Sequence, residues 1–324
     1  MTILWACAAQ VNPDPQGYNE TLTMHETEYP TPRELKQELS QEIWKVLGLS
    51  PDTRLRHLLN PVLWAPLHRF AEWASEFDRT VAESGLRQAA GEVLPRLVNR
   101  LEVEGQQQVP TAGPLLVVSN HPGSADGLAI AASLPRNDLK IVVSALPFIR
   151  SLPNSARHLI YTDPLEPHKR MEVVRSSIRH LRDGGALLLF PRGKVEPDPA
   201  WLPGAMESLS RWSASLGLIA RTVPEAKVVT TIVSGVLARS SLRNPVTRWP
   251  RDPRKRQLLA EIIQVLHQAL IPYGISVSTR LSYGKPIVAG DRNARELTRE
   301  IVGYARQLLN DHLTPAGDKK RAAS

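Results

Sequence analysis

From residue 101 onward, short β-rich runs alternate with amphipathic helical stretches, and no other feature of the chain restricts its fold so tightly. The β-rich runs fall at 101–103, 115–118, 141–143, 159–161, 186–190, 228–233 and 275–282, and helical periodicity occupies 169–181 and 256–270 between them. Strands alternating with helices require an α/β sheet with a large parallel component, because each helix carries the chain back to the edge where the next strand starts. The run Ala186-Leu-Leu-Leu-Phe190 has no polar alternation, as expected of a strand covered on both faces. A final helix over 294–309 sets Leu297, Ile301, Tyr304 and Leu308 on one face and closes the domain. The expected fold class is therefore α/β, a mixed, largely parallel sheet flanked by helices, with a helical bundle in front of it.

In that leading region Leu63, Leu67, Phe70, Ala74 and Phe77 recur at spacings of four and three, as helices with one buried face do. The chain then divides into a mobile arm (1–32), rich in Pro, Thr, Asn and Glu, a helical region (33–100), an α/β domain (101–311) and a tail expected to fray (312–324). Of the 324 residues, 42% are hydrophobic and 22% charged, enough for a sizeable core, which excludes a wholly disordered protein. Forty basic against 32 acidic residues leave +8 and favour an anionic partner. With aromatics at only 5%, that partner is not expected to be nucleic acid, which is held on stacking platforms. Cys7 is the one cysteine, so neither an internal disulfide nor a cysteine-based zinc site is possible, and a reducing, cytoplasmic compartment is expected. The first nine residues lack the basic n-region of a signal peptide, and nowhere do 18 apolar residues run together. Any membrane contact is expected from one side.

The stretch Leu115-Leu-Val-Val-Ser-Asn-His-Pro-Gly-Ser-Ala-Asp126 reads as a strand, a Pro-Gly turn and the start of a helix. Such a reversal lets the Asp126 carboxylate fold back toward the His121 imidazole, where it fixes the tautomer while the far nitrogen takes a proton. The same spacing recurs at His158 and Asp163, but in a strand those ends lie roughly 16 Å apart, so the second pair is a decoy. Spacing alone leaves a second reading open, a helix-capping Asp beside a structural His. No Gly-x-Ser-x-Gly elbow occurs, which points the dyad at a substrate hydroxyl rather than an enzyme serine. A second constellation follows the buried run, where Pro191-Arg-Gly-Lys194 forms a basic, glycine-containing turn at a strand's carboxyl end. Open α/β sheets place ligands there, and the turn suits phosphate, although an ordinary solvated turn has the same composition.

Taken in order, Val103-Glu-Gly105, Asn120-His-Pro-Gly-Ser-Ala-Asp126, Gly184-Gly-Ala-Leu-Leu-Leu-Phe-Pro-Arg-Gly193 and Tyr283-Gly-Lys-Pro-Ile287 resemble the glycerolipid acyltransferase family, which includes 1-acylglycerol-3-phosphate acyltransferases. The resemblance spans about residues 101 to 310 and implies an enzyme of phospholipid biosynthesis. His121 would be the general base and Asp126 its orienting partner, moving a fatty acyl group from acyl-CoA or acyl carrier protein to a hydroxyl of a lysophospholipid or other glycerolipid. Asn120, Pro191, Arg192, Gly193 and Lys194 would contact substrate. No metal, no covalent acyl-enzyme and no cofactor beyond the acyl donor are implied. Two blocks depart from the family pattern: Arg192 stands where members carry a Glu, and the strand ending Ile160-Tyr-Thr-Asp163 lacks the arginine that binds an acceptor phosphate. Arg192 and Lys194 would then supply that contact. The altered blocks also fit a non-catalytic, lipid-binding relative, and the dyad alone fits an ester or thioester hydrolase.

Arg239, Arg243, Arg248, Arg251, Arg254, Lys255 and Arg256 crowd a segment with one acid, Asp252, and Trp249. Read as a loop, it suits either an anionic membrane at the inner, cytoplasmic face or plain solvent. Trp64 and Trp73 are candidate interfacial anchors or core residues.

Overall fold

Two strands at the centre of the sheet, 115–118 and 186–189, are those whose sequence is apolar without a break. The computed structural model describes residues 31–47, 53–162, 170–248 and 250–314. Two helices, α1 (Pro32–Leu47) and α2 (Arg54–Val93), precede β1 (Arg100–Glu104). Then follow β2 (Leu115–Ser119), α3 (Asp126–Ser133), β3 (Leu139–Ser144), the one-turn helices α4 (Pro147–Arg150) and α5 (Pro153–Ala156), β4 (Leu159–Thr162), α6 (Arg170–Arg182) and β5 (Ala186–Leu189). The second half runs α7 (Ala205–Leu209), α8 (Ser215–Thr222), β6 (Lys227–Ser234), α9 (Arg239–Leu242), α10 (Pro253–Leu270), β7 (Ser278–Tyr283), β8 (Ile287–Val288) and α11 (Ala294–Leu313).

The strands lie in the order β1-β7-β6-β2-β5-β3-β4, and β8 pairs with the start of β6. Five neighbours, β6, β2, β5, β3 and β4, are parallel; β7 runs against β6, and β1 runs with β7. Alternation along β2 divides the core. Leu115 and Val117 join the layer built by α1, α2, α3 and α10, whereas Leu116 and Val118 join the layer of α6, α8 and α11. Each such Leu or Val taken fully from water is worth about 1.5–3 kcal/mol, and the central strands are covered on both sides. This coverage fixes where β2 ends, and the turn after it carries His121.

The leading helices share the first of these layers. Phe70 of α2 packs on Phe148 with ring centroids 6.1 Å apart. Buried carboxylates from both helices cap the short helices after β3: Glu42 accepts from the Phe148 N–H at 3.1 Å, and Asp78 accepts from the Ser155 N–H and hydroxyl at 2.7 Å each. The helix α2 breaks at Gly85, whose φ of 84° lies in the left-handed region.

Two expectations change and one open choice is resolved. The basic segment is largely helical rather than a loop, forming α9, a 3-10 turn over Pro245–Arg248 and the first turn of α10, which Asp252 caps through the Arg254 N–H at 2.9 Å. The last helix runs to Leu313, so His312, expected in the frayed tail, is buried. Trp73 is partly buried against Phe70 while Trp64 is exposed, stacked on His68 with the Lys36 ammonium over its ring. The arm up to residue 30, Trp249 and residues 315–324 lie outside the described residues, as does Asp163 of the decoy pair. Among the described residues no helix is long and apolar enough to cross a membrane.

Candidate active site

The chain leaves β2 at Ser119, reverses through His121, Pro122 and Gly123, and enters α3 at Asp126. That reversal brings His121 Nδ1 within 2.8 Å of Asp126 Oδ2. The same oxygen accepts from the Gly123 N–H at 3.1 Å and Oδ1 accepts from the Gly127 N–H at 2.5 Å, so the carboxylate is fixed at the head of its helix. Both side chains are buried. With Nδ1–H donated to Asp126, the proton-accepting lone pair falls on Nε2, across the ring.

Two further carboxylates converge on this turn, and sequence spacing gave no sign of either. Glu196 Oε2 accepts from the His121 N–H at 3.0 Å, and its own N–H donates to the His121 carbonyl at 2.7 Å, clamping the residue from both sides. Its other oxygen accepts from the Trp212 indole at 3.2 Å. Glu261, on α10, takes both the N–H and the hydroxyl of Ser124 through Oε1. A Cβ at position 123 would sit 2.8 Å from that oxygen, so a larger residue there would displace the Glu261 carboxylate. The ring of Phe190, at the end of β5, lies 4.5 Å from the His121 ring and tilted by 34° to it.

Burial decides the electrostatics. It pushes Glu196 and Glu261 up to about 7 each, against hydrogen bonds from Ser208 and Trp212 in one case and from Ser124 in the other. Burial alone would lower the His121 pKa, but the Asp126 charge and hydrogen bond, then Glu261 and Glu196, outweigh it and raise it. The imidazole is thus a stronger base than usual, in a dry setting.

Helix α10 builds much of this setting. Gln257, Glu261, Gln264 and Gln268 form a buried polar stripe at helical spacing. Gln257 Nε2 donates to the Pro122 and Glu196 carbonyls at 2.7 and 2.8 Å, Gln264 binds the Val236 carbonyl and the Ala238 N–H, and Gln268 binds the Leu97 carbonyl. In sequence these polar residues look like the solvent face of an amphipathic helix.

Two expected contacts take a different part. Both ends of the Asn120 amide are engaged at 2.8 Å by the Val233 backbone, so Asn120 braces the turn to β6. Pro191 is buried and its carbonyl accepts from Ser213 N–H at 3.0 Å, an internal tie. Gly193 turns the chain at φ 63°, and Arg192 and Lys194 remain partly exposed beside the Phe190 end of the site. Partial burial and the nearby charges of Arg254 and Arg211 lower the Arg192 pKa, as happens when guanidinium groups from separate segments gather.

Residues 100–233 match the family model described as Acyltransferase. The chain is also similar to the solved structure of the 1-acyl-sn-glycerophosphate (LPA) acyltransferase, PlsC, from Thermotoga maritima, with 16% identity over 88% of this chain and 98% of that one and a TM-score of 0.41. No curated protein matches the chain significantly.

Proposed function

We propose, from the match of residues 100–233 to the Acyltransferase model, that the protein esterifies a hydroxyl of a lysophospholipid or related glycerolipid with a fatty acyl group drawn from a thioester, acyl-CoA or acyl carrier protein. The observation that carries this reading is the 2.8 Å contact between His121 Nδ1 and Asp126 Oδ2 in a turn at the carboxyl end of a central strand. His121 Nε2 takes the acceptor's hydroxyl proton as the oxygen attacks the thioester carbonyl, and Asp126 stabilises the imidazolium that results. The tetrahedral intermediate then expels thiolate, which recovers the proton from His121 and leaves as thiol. The scheme needs no covalent enzyme intermediate and no metal.

Arg192 and Lys194, with Arg254 and Arg211 near, supply the positive field for an acceptor phosphate in place of the arginine missing after Tyr161. Attachment is to an anionic surface at the inner face of a membrane. Exposed Arg248, Arg251, Lys255 and Arg256 each add about 1 kcal/mol near such a surface, and exposed Leu55, Leu58, Val62 and Trp64 offer apolar contact.

The test presents a lysolipid in anionic vesicles and follows thiol release from acyl-CoA. We expect turnover that requires the acceptor, falls by about 10³-fold in His121→Ala, and co-floats with the vesicles until salt is raised. Release without acceptor would make the protein a hydrolase, and equal rates in wild type and variant would make it a binding protein.

A further inference from the structure

A cavity of about 470 Å³ lies between the loop carrying Ala200, Trp201 and Leu202 and the helix α9 with its C-cap, which contribute Arg239, Leu242 and Arg243. Its walls are held firmly. Buried Asp198 accepts from the Gly235 N–H at 2.8 Å, the Ala200 N–H at 3.0 Å and the Leu237 N–H at 3.2 Å, and the Trp201 N–H donates to the Asp198 carbonyl at 3.0 Å. The Trp201 indole N–H donates to the Leu237 carbonyl at 2.7 Å, yet 45% of the residue is exposed. The indole is thus fixed at its edge while much of the residue stays open to solvent. Beside it, Arg239 and Arg243 are one helical turn apart, both exposed, and neither is engaged in an ion pair among the described residues.

A flat ring next to two guanidinium groups matches one chemistry above others, a purine carrying phosphates. A lysolipid headgroup would use the arginines and leave the plate idle. We infer that this cavity binds the adenine nucleotide end of a coenzyme A thioester, with adenine on Trp201 and phosphates on Arg239 and Arg243. The inference rests on the acyl-transfer reading and assigns its donor. The position fits. Ala200 follows Glu196 by four residues, at most about 14 Å of chain, and Glu196 is hydrogen-bonded to the His121 backbone. A pantetheine arm spans that gap and delivers the thioester to the base.

Binding of adenosine 3′,5′-bisphosphate to the full chain, measured by calorimetry, tests this directly. Affinity should fall roughly tenfold in Trp201→Leu, the order expected for one lost stacking contact, fall again in the Arg239→Gln/Arg243→Gln double variant, and recover in part in Trp201→Phe. Glycerol 3-phosphate should not compete. In turnover, the KM for acyl-CoA should rise in the same variants while that for an acyl-pantetheine thioester, which has no nucleotide, stays constant. Unchanged nucleotide affinity, or full competition by glycerol 3-phosphate, overturns the assignment. Nucleotide binding with no acyl transfer would instead overturn the proposed reaction and leave the cavity's ligand standing.

Discussion

His121 and His312 are about equally hidden, at 3% and 1% exposure, yet the partners around them differ in kind. His312, near the end of α11, sits between two serine hydroxyls on neighbouring strands, with Nε2 2.7 Å from Ser234 Oγ and Nδ1 2.8 Å from Ser282 Oγ. Its carbonyl accepts from Arg280 at 2.6 Å. A neutral imidazole donates once and accepts once, and each of these hydroxyls can take either part. His121 faces the Asp126 carboxylate at the same range, with Glu196 and Glu261 behind it. One ring fastens a helix to the β6–β7 pair and the other is stabilised as a cation. At equal depth of burial, a carboxylate against the ring favours the imidazolium in a way that a hydroxyl does not.

The comparison can be broken most sharply at Asp126. Asp126→Asn keeps the shape and removes the charge, and kcat/KM should drop by about 10²-fold or more, near 3 kcal/mol of barrier. Thiol release measured alongside a melting curve checks this; an unchanged rate would place both histidines in one class. Next in size, His312→Ala leaves two buried hydroxyls without their partner and should lower stability by about 2 kcal/mol, read from a urea titration, while turnover per folded molecule stays at the wild-type level. Loss of turnover in a fully folded His312→Ala protein would erase the distinction.

The smallest expected effect sharpens it. Glu261 is one of the charges that raise the His121 pKa, so Glu261→Gln should move the acid limb of the kcat/KM profile to lower pH, by less than about one unit. Stability has its own sign. The Glu261 pKa rises from its ordinary 4.5 to about 7 on folding, so the folded state binds the extra proton and loses stability as pH climbs through that window. Glu261→Gln removes that loss. Denaturation midpoints of variant and wild type should therefore shift in the variant's favour as pH rises across it.

Much of the scaffold was legible because its centre is repetitive in character. The strands 115–118 and 186–190 are apolar on both faces, 228–233 departs only by two buried threonines, and that pattern has few other outcomes. The dyad was legible for the opposite reason, being local: five residues and one Pro-Gly turn contain all its geometry. What supports the dyad was not. Glu196 and Glu261 reach His121 and Ser124 from 75 and 137 residues away, and a buried Gln or Glu at helical spacing has the same signature as a solvated one. Asn120 misled because it stands next to His121 in sequence, while its amide turns to the Val233 backbone. The basic segment misled through its prolines, which here open helices instead of excluding them: Pro253 occupies the first turn of α10, where a missing N–H costs nothing.

The bonds from α10 to the His121 turn have a temporal consequence. Gln257 and Glu261 reach back 135 and 137 residues, and β1 finds β7 only after Ser278 has been made. A chain still emerging from the ribosome therefore displays the His and Asp pair long before anything holds it in place. Under the proposed acyl transfer, the turn gains its full support late, once the C-terminal third has closed over it.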